Sequence, residues 1–213
     1  MSLAWKLFSL IAITVVVVVL VDLASERPAS LAGKLLGTHP GKIMTIAFSP
    51  DGRWLVSGGW NSPIVVWNVA DGRRDWVLDA CAGSTFGLAF SPDGKVLAAS
   101  GDDGTLRFWN VETWTPLQSI PAHAGIARGL AFAPNRGVLA TCGVDGVIAV
   151  WDTSTWKLSG KLQTQSGGLT SVAFCPDGRA LVTLSSAGAA MYWNVAPLGN
   201  GLALAERPKQ ESL

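Results

Sequence analysis

The chain has 213 residues, 49% apolar and only 15% charged, which excludes a disordered acidic or basic tail protein. Sixteen basic against 15 acidic residues leave a formal net charge of +1, so no bulk field recruits nucleic acid, and none is expected as a partner. Three well-separated cysteines and two histidines fit neither a disulfide framework nor a Cys/His zinc site.

Residues 1–25 stand apart from the rest. From Leu7 to Val21 fifteen residues pass without a charge, and Lys6 can lay its stem along the apolar surface with its ammonium among headgroups. This predicts an uncleaved single-span membrane helix that meets the bilayer through residues 3–23, with Trp5 in the interfacial belt. The rival reading is a secretory signal peptide cleaved after Ser30-Leu31-Ala32. That site lies late, and Asp22 spoils an earlier one before Ala24. The N-terminal flank carries no acid, which points to a cytoplasmic N-terminus and an extracytoplasmic or periplasmic domain, although Arg27 and Lys34 outnumber Lys6. Residues 26–32 read as a linker.

Downstream, Trp67, Trp109, Trp151 and Trp193 are each 42 residues apart, as are Phe48, Phe90, Phe132 and Phe174. A period of this length marks a repeat architecture. Four units follow, at about 39–69, 81–111, 123–153 and 165–195. Each has a run ending in Ala-Phe, a turn (SPDG, SPDG, APNRG, CPDG), a second run, an Asp- or Gly-rich turn, and a third run ending at Trp. Short apolar runs bounded by Pro-Asp-Gly or Asp-Gly read as antiparallel strands joined by hairpins. Less regular fourth strands are expected at Asp75 to Leu78, Thr115 to Ile120 and Trp156 to Leu162.

Period, turn and the terminal Trp-Asn or Trp-Asp pair resemble the WD40 β-propeller repeats, over residues 33 to about 195. Only Trp151-Asp152 is a literal Trp-Asp pair. The resemblance implies an all-β fold, a β-propeller of four WD40-type blades across 33–198, each a four-stranded antiparallel sheet. With the predicted transmembrane helix before it, a tail at 199–213 completes the chain. The family's blade carries a hydrogen-bonded tetrad of His, Ser/Thr, Asp and Trp. Carried over residue by residue, the third copy is complete with His123, Thr141, Asp145 and Trp151. The first has His39, Ser57, Asn61 and Trp67, an amide replacing the acid. The second keeps Asp103 and Trp109 beside Cys81 and Ala99, and the fourth keeps Thr183 and Trp193 beside Gln165 and Ala187. Blades two and four are expected to be softer.

On this reading His123, Asp145 and Thr141 are structural rather than an acid–base triad. Asp102-Asp103-Gly104 lacks the downstream Glu of a calcium loop. Cys142 and Cys175 read as small packing residues, and Cys81 as the cysteine to test for reactivity. No phosphate loop, nucleophile elbow or HExxH occurs, so neither enzymatic activity nor a metal or cofactor is expected.

WD40-type propellers usually close with more blades than four. Three outcomes stay open: a small closed ring, a second copy completing an eight-bladed ring, or an arc covered by other protein subunits of a membrane complex. Gly33 to Thr38 matches the position of an outer strand and is the favoured candidate to complete the last blade. The segment Gly199 to Ala205 competes for that place. By family geometry the top face carries Met44, Phe86, Arg128 and Thr170 from first strands and Trp60, Asp102, Val144 and Ser186 from turns. Met44, Trp60, Phe86, Asp102 and Arg128 are the candidate interaction surface. Trp114 and Trp156 are expected to cover the rim. The function this supports is a non-catalytic, membrane-tethered protein–protein interaction scaffold, an accessory or stabilising subunit of a larger membrane complex of respiratory or photosynthetic type. The alternative is a receptor or sensor propeller binding a small ligand or peptide.

Overall fold

The computed structural model describes residues 35–79, 83–135, 137–198 and 201–206. The expected anchor at 1–25, the linker at 26–32, Cys81 and residues 207–213 lie outside them. Among the described residues no helix is long and apolar enough to cross a membrane.

Those residues form four antiparallel four-stranded sheets, in each of which strands follow chain order. Blade 1 holds β1 (Ile43–Phe48), β2 (Trp54–Gly59), β3 (Ser62–Asn68) and β4 (Arg74–Leu78). Blade 2 holds β5 (Thr85–Phe90), β6 (Val96–Gly101), β7 (Thr105–Asn110) and β8 (Pro116–Pro121). Blade 3 holds β9 (Ala127–Phe132), β10 (Val138–Gly143), β11 (Val147–Asp152) and β12 (Leu158–Gln163). Blade 4 holds β13 (Leu169–Phe174), β14 (Ala180–Ser185), β15 (Ala190–Leu198) and β16 (Gly201–Glu206).

Side-chain chemistry sets the turns. Ser49 Oγ donates to Asp51 Oδ1 at 2.5 Å and accepts the Trp54 amide at 2.9 Å, closing the β1–β2 connection. Ser91, Asp93 and Val96 repeat the arrangement in blade 2. After the third strands of blades 1, 2 and 3, the oxygen of Asn68, Asn110 or Asp152 accepts an amide two residues on. An amide oxygen and a carboxylate oxygen can both accept there, so Trp-Asn can stand where Trp-Asp does. The chain then turns through a left-handed residue: Gly72 at φ 79°, Trp114 at 55° and Trp156 at 56°. Trp156 therefore belongs to the turn and not, as its sequence position predicts, to the fourth strand, which begins at Leu158.

The core lies between the blades. Val56, Ile64 and Val66 of blade 1 pack with Leu88, Phe90 and Leu97 of blade 2. Ala98, Leu106 and Phe108 meet Leu130 and Leu139 at the next junction, and Ala140 and Ile148 meet Val172 and Leu181 at the third. Trp114 fills the first junction against Trp54, with ring centroids 5.8 Å apart, and Trp156 lies 4.2 Å from Phe108 in the second. Burying these indoles offsets the roughly 1–2 kcal/mol that a left-handed backbone costs a residue with a side chain.

The four blades form an open arc and not a small closed ring. Ile46 and Phe48 of blade 1 are 38% and 48% exposed, whereas their repeat equivalents Leu88 and Phe90 are buried. At the other end Leu184 is 45% exposed, where the equivalent Ser100 and Cys142 are fully buried. A blade face is buried by a neighbouring blade, and among the described residues neither end meets one.

The outer strand of blade 4 corrects the favoured expectation. Within the chain it is the tail, as β16, that pairs with β15, from Trp193↔Glu206 to Leu198↔Gly201. Part of the expected tail thus belongs to the propeller. Of Gly33 to Thr38, residues 35–38 form no strand, and Leu36 packs against the cluster of Leu55, Val65 and Trp67 in blade 1. Gly37 permits this approach, because a Cβ there would fall 2.6 Å from the Trp67 ring.

Candidate functional site

Blade 3 assembles its four residues from the loop before β9, which carries His123, the β10–β11 turn, which carries Asp145, and the two strands that this turn joins. His123 Nδ1 lies 3.1 Å from Asp145 Oδ1, and its Nε2 lies 2.9 Å from Thr141 Oγ1. Trp151 Nε1 donates to the same Thr141 oxygen at 3.0 Å. Asp145 also accepts the amides of Ala124 and Val147. Burial lowers the His123 pKa against the attraction of Asp145, which favours the neutral imidazole. One proton order then satisfies every group: Trp151 N–H to Thr141, Thr141 O–H to His123 Nε2, and His123 Nδ1–H to the Asp145 carboxylate. Within this network each side-chain donor meets an acceptor of the network itself.

The other blades hold fragments of that network. Trp67 Nε1 donates to Ser57 Oγ at 2.8 Å and Trp193 Nε1 to Thr183 Oγ1 at 2.9 Å. His39 stays out of its set: its Nδ1 pairs with the backbone of Gly41, and its buried Nε2 has no partner. Asn61 is exposed in a left-handed turn and donates its backbone amide to Ser84 Oγ. In blade 2 Asp103 turns instead to Arg107 at 2.7 Å and to Thr105. Burial opposes its ionisation, yet the hydrogen bonds from Arg107 and Thr105 hold its carboxyl far below the ordinary range.

The top-face candidates occupy a defined structural position. Met44, Phe86, Arg128 and Thr170 are each the extra residue at a register shift between the first and second strands of a blade. A bulge leaves one residue out of the ladder and re-aims its side chain. Three side chains then meet across blades: Trp60 packs edge-on against Phe86 at 6.4 Å, and the Arg128 guanidinium lies 4.6 Å over the Phe86 ring. Trp60 is 60% exposed, and Met44 and Val144 are exposed beside the same face. Arg128 Nε is buried without a hydrogen-bond partner. Asp102 is not presented outward: its Oδ2 accepts the Ser84 amide at 2.9 Å, tying down the loop before β5.

Family comparison agrees with the four-blade geometry. The WD domain, G-beta repeat family matches residues 33–68, 75–110, 114–152 and 156–194, more than half of the chain. The chain belongs to the WD40 repeat family. Curated relatives include the small ribosomal subunit protein RACK1 of Medicago sativa and that of Glycine max, each 44% identical over 45 residues. That segment is 21% of this chain, and the chain spans 14% of the length of those relatives. The solved structure titled "Structure of U3-55K" aligns with TM-score 0.69 and 21% identity over 75% of this chain, which covers half of that one. This likeness carries the fold alone.

The remaining WD40 side chains offer little chemistry. Cys142 is buried, and burial pushes its thiol up to about 12, far from a reactive thiolate. Cys175 is half-buried beside the β13–β14 turn. Among the described residues no group of three His, Cys, Asp or Glu could hold a metal ion. The bulges were invisible to sequence reading, because an extra residue in one strand is defined only against its paired neighbour.

Proposed function

We propose that this WD40 protein is a non-catalytic, membrane-tethered protein-interaction scaffold, an accessory or stabilising subunit of a larger membrane assembly. WD40 propellers serve as protein-binding platforms, and one observation carries the reading here: the exposed Trp60 stands on a shelf of Phe86 and Arg128 raised by consecutive bulges. Aromatic and Arg side chains held rigid at a surface are the residue types that dominate binding energy at protein interfaces. The blade 3 tetrad, the other candidate for chemistry, is saturated by its own hydrogen bonds. The apolar segment Leu7 to Val21 supports the tether, with the N-terminus cytoplasmic and the propeller outside. Purification of the tagged full chain from solubilised membranes should bring a discrete larger assembly with it. Trp60→Ala and Arg128→Ala should each strip that assembly while leaving the chain folded and membrane-bound. An assembly unaffected by both substitutions would overturn the assignment of the surface.

A further inference from the structure

Trp60 and Phe86, which meet at 6.4 Å across the first junction, have repeat equivalents at the second in Asp102 and Arg128. The contact does not repeat there as an ion pair. The Asp102 carboxylate faces the loop before β5: its Oδ2 accepts the Ser84 amide at 2.9 Å, and a Cβ on Gly83 would fall 2.5 Å from its Oδ1. Arg128 instead lies with its guanidinium 4.6 Å over the Phe86 ring. Among the described residues no carboxylate comes within 4.0 Å of that guanidinium.

The result is a cation held in place without an anion. Phe86 covers one face of the guanidinium, and the bulge in β9 fixes where the side chain leaves the strand. Its Nε is buried without an acceptor, whereas its terminal nitrogens are open to solvent and meet no acceptor among the described residues. A stacked guanidinium keeps its planar fork free, and that fork matches the two oxygens of a carboxylate. Beside it Trp60 and Met44 are exposed, and so is Lys42, whose carbonyl accepts the Trp60 amide at 2.8 Å. Lys42 leads into blade 1 and Arg128 belongs to blade 3. The two charges therefore flank an aromatic pair, and they suit separate carboxylates along one segment rather than a single phosphate, which gathers several cations at one point.

We propose that the partner of this surface is a protein segment carrying an acidic residue beside an apolar one, its carboxylate held by the terminal nitrogens of Arg128 and its apolar side chain packed on Trp60. This rests on the reading of the Trp60 surface as a docking site and adds the chemistry of what docks there. Apolar contact with Trp60 excludes water around the ion pair, and charge complementarity with Arg128 and Lys42 selects the partner.

The test selects a random peptide library on the full chain in detergent, with the Trp60→Ala chain as counter-screen. Peptides that need Trp60 should be enriched in Asp or Glu adjacent to an aliphatic or aromatic residue. Changing that acid to Gln in a synthetic peptide should weaken binding roughly ten- to hundredfold. Arg128→Gln should weaken the acidic peptide by a similar factor and leave the Gln peptide unchanged. A variant that merely failed to fold would lose both, and the peptide substitution tests the carboxylate on the unaltered chain. Arg128→Lys, which keeps the charge but not the fork, should fall between. Trp60-dependent peptides without an acid would overturn the carboxylate assignment and leave the docking surface standing. A phosphoserine that binds markedly tighter than the acid it replaces would overturn it in favour of a phosphopeptide. Absence of any Trp60-dependent peptide would overturn the docking surface as well.

Discussion

Thr141 and His123 share one hydrogen bond, 2.9 Å long, through which a strand of blade 3 is tied to the loop that enters it. Thr141 is fully buried, and His123 hands the connection on to Asp145. Removing one member strands the others in a low-dielectric interior.

Asp145→Ala should therefore cost roughly 2–4 kcal/mol of stability, since His123 and two backbone amides lose their acceptor. Asp103→Ala, which breaks a pair with Arg107 near the surface, should cost at most about 1 kcal/mol. Urea titrations of the two variants would compare them. Equal losses would mean that the blade 3 network is not a stabilising unit.

Acid should weaken the domain in two stages. His123 has a pKa lowered from 6.5, so below that value the unfolded chain takes up a proton that the folded chain refuses, and stability falls as pH drops. Asp51, Asp93 and Asp152 have pKa values lowered from 3.8, so their contribution is present above 3.8 and is lost as pH falls from there through those depressed values. Stability measured against pH should lose its upper step in His123→Gln and keep its lower one. An unchanged upper step would assign it to another group.

Trp114→Gly isolates the trade between backbone strain and packing. Glycine relieves the left-handed φ of 55°, worth about 1–2 kcal/mol, but removes an indole buried against Trp54, Trp76 and Phe90, worth about 3–5 kcal/mol. A net loss of roughly 1–4 kcal/mol in thermal or chemical unfolding is expected. A stabilised variant would show that strain outweighs packing there.

The tether has its own measurement. If Leu7 to Val21 spans the bilayer uncleaved, alkaline carbonate should fail to extract the protein, and its N-terminal peptide should still contain Trp5 and Lys6. A mature chain beginning at Gly33 would make the segment a signal peptide.

The repeat itself was written in the sequence, because its causes are local. Ser-Pro-Asp-Gly closes a turn with its own side chains, Trp-Asn and Trp-Asp cap the next turn, and a 42-residue spacing brings His123, Thr141, Asp145 and Trp151 to one place. What the sequence could not decide are contests between distant segments and contacts counted across strands. Gly33 to Thr38 and the Gly199 to Ala205 stretch both resemble an outer strand, and only the folded chain shows the latter region pairing as β16. Asp102 reads as a surface acid until the Ser84 amide turns it inward, and His39 reads as a tetrad member until its ring is seen bonded to Gly41. The bulges that raise Phe86 and Arg128 exist only as mismatches between paired strands. The openness of the arc likewise depends on whether Phe48 and Leu184 find neighbours, and burial, unlike turn chemistry, is a property of the surroundings and not of the residue.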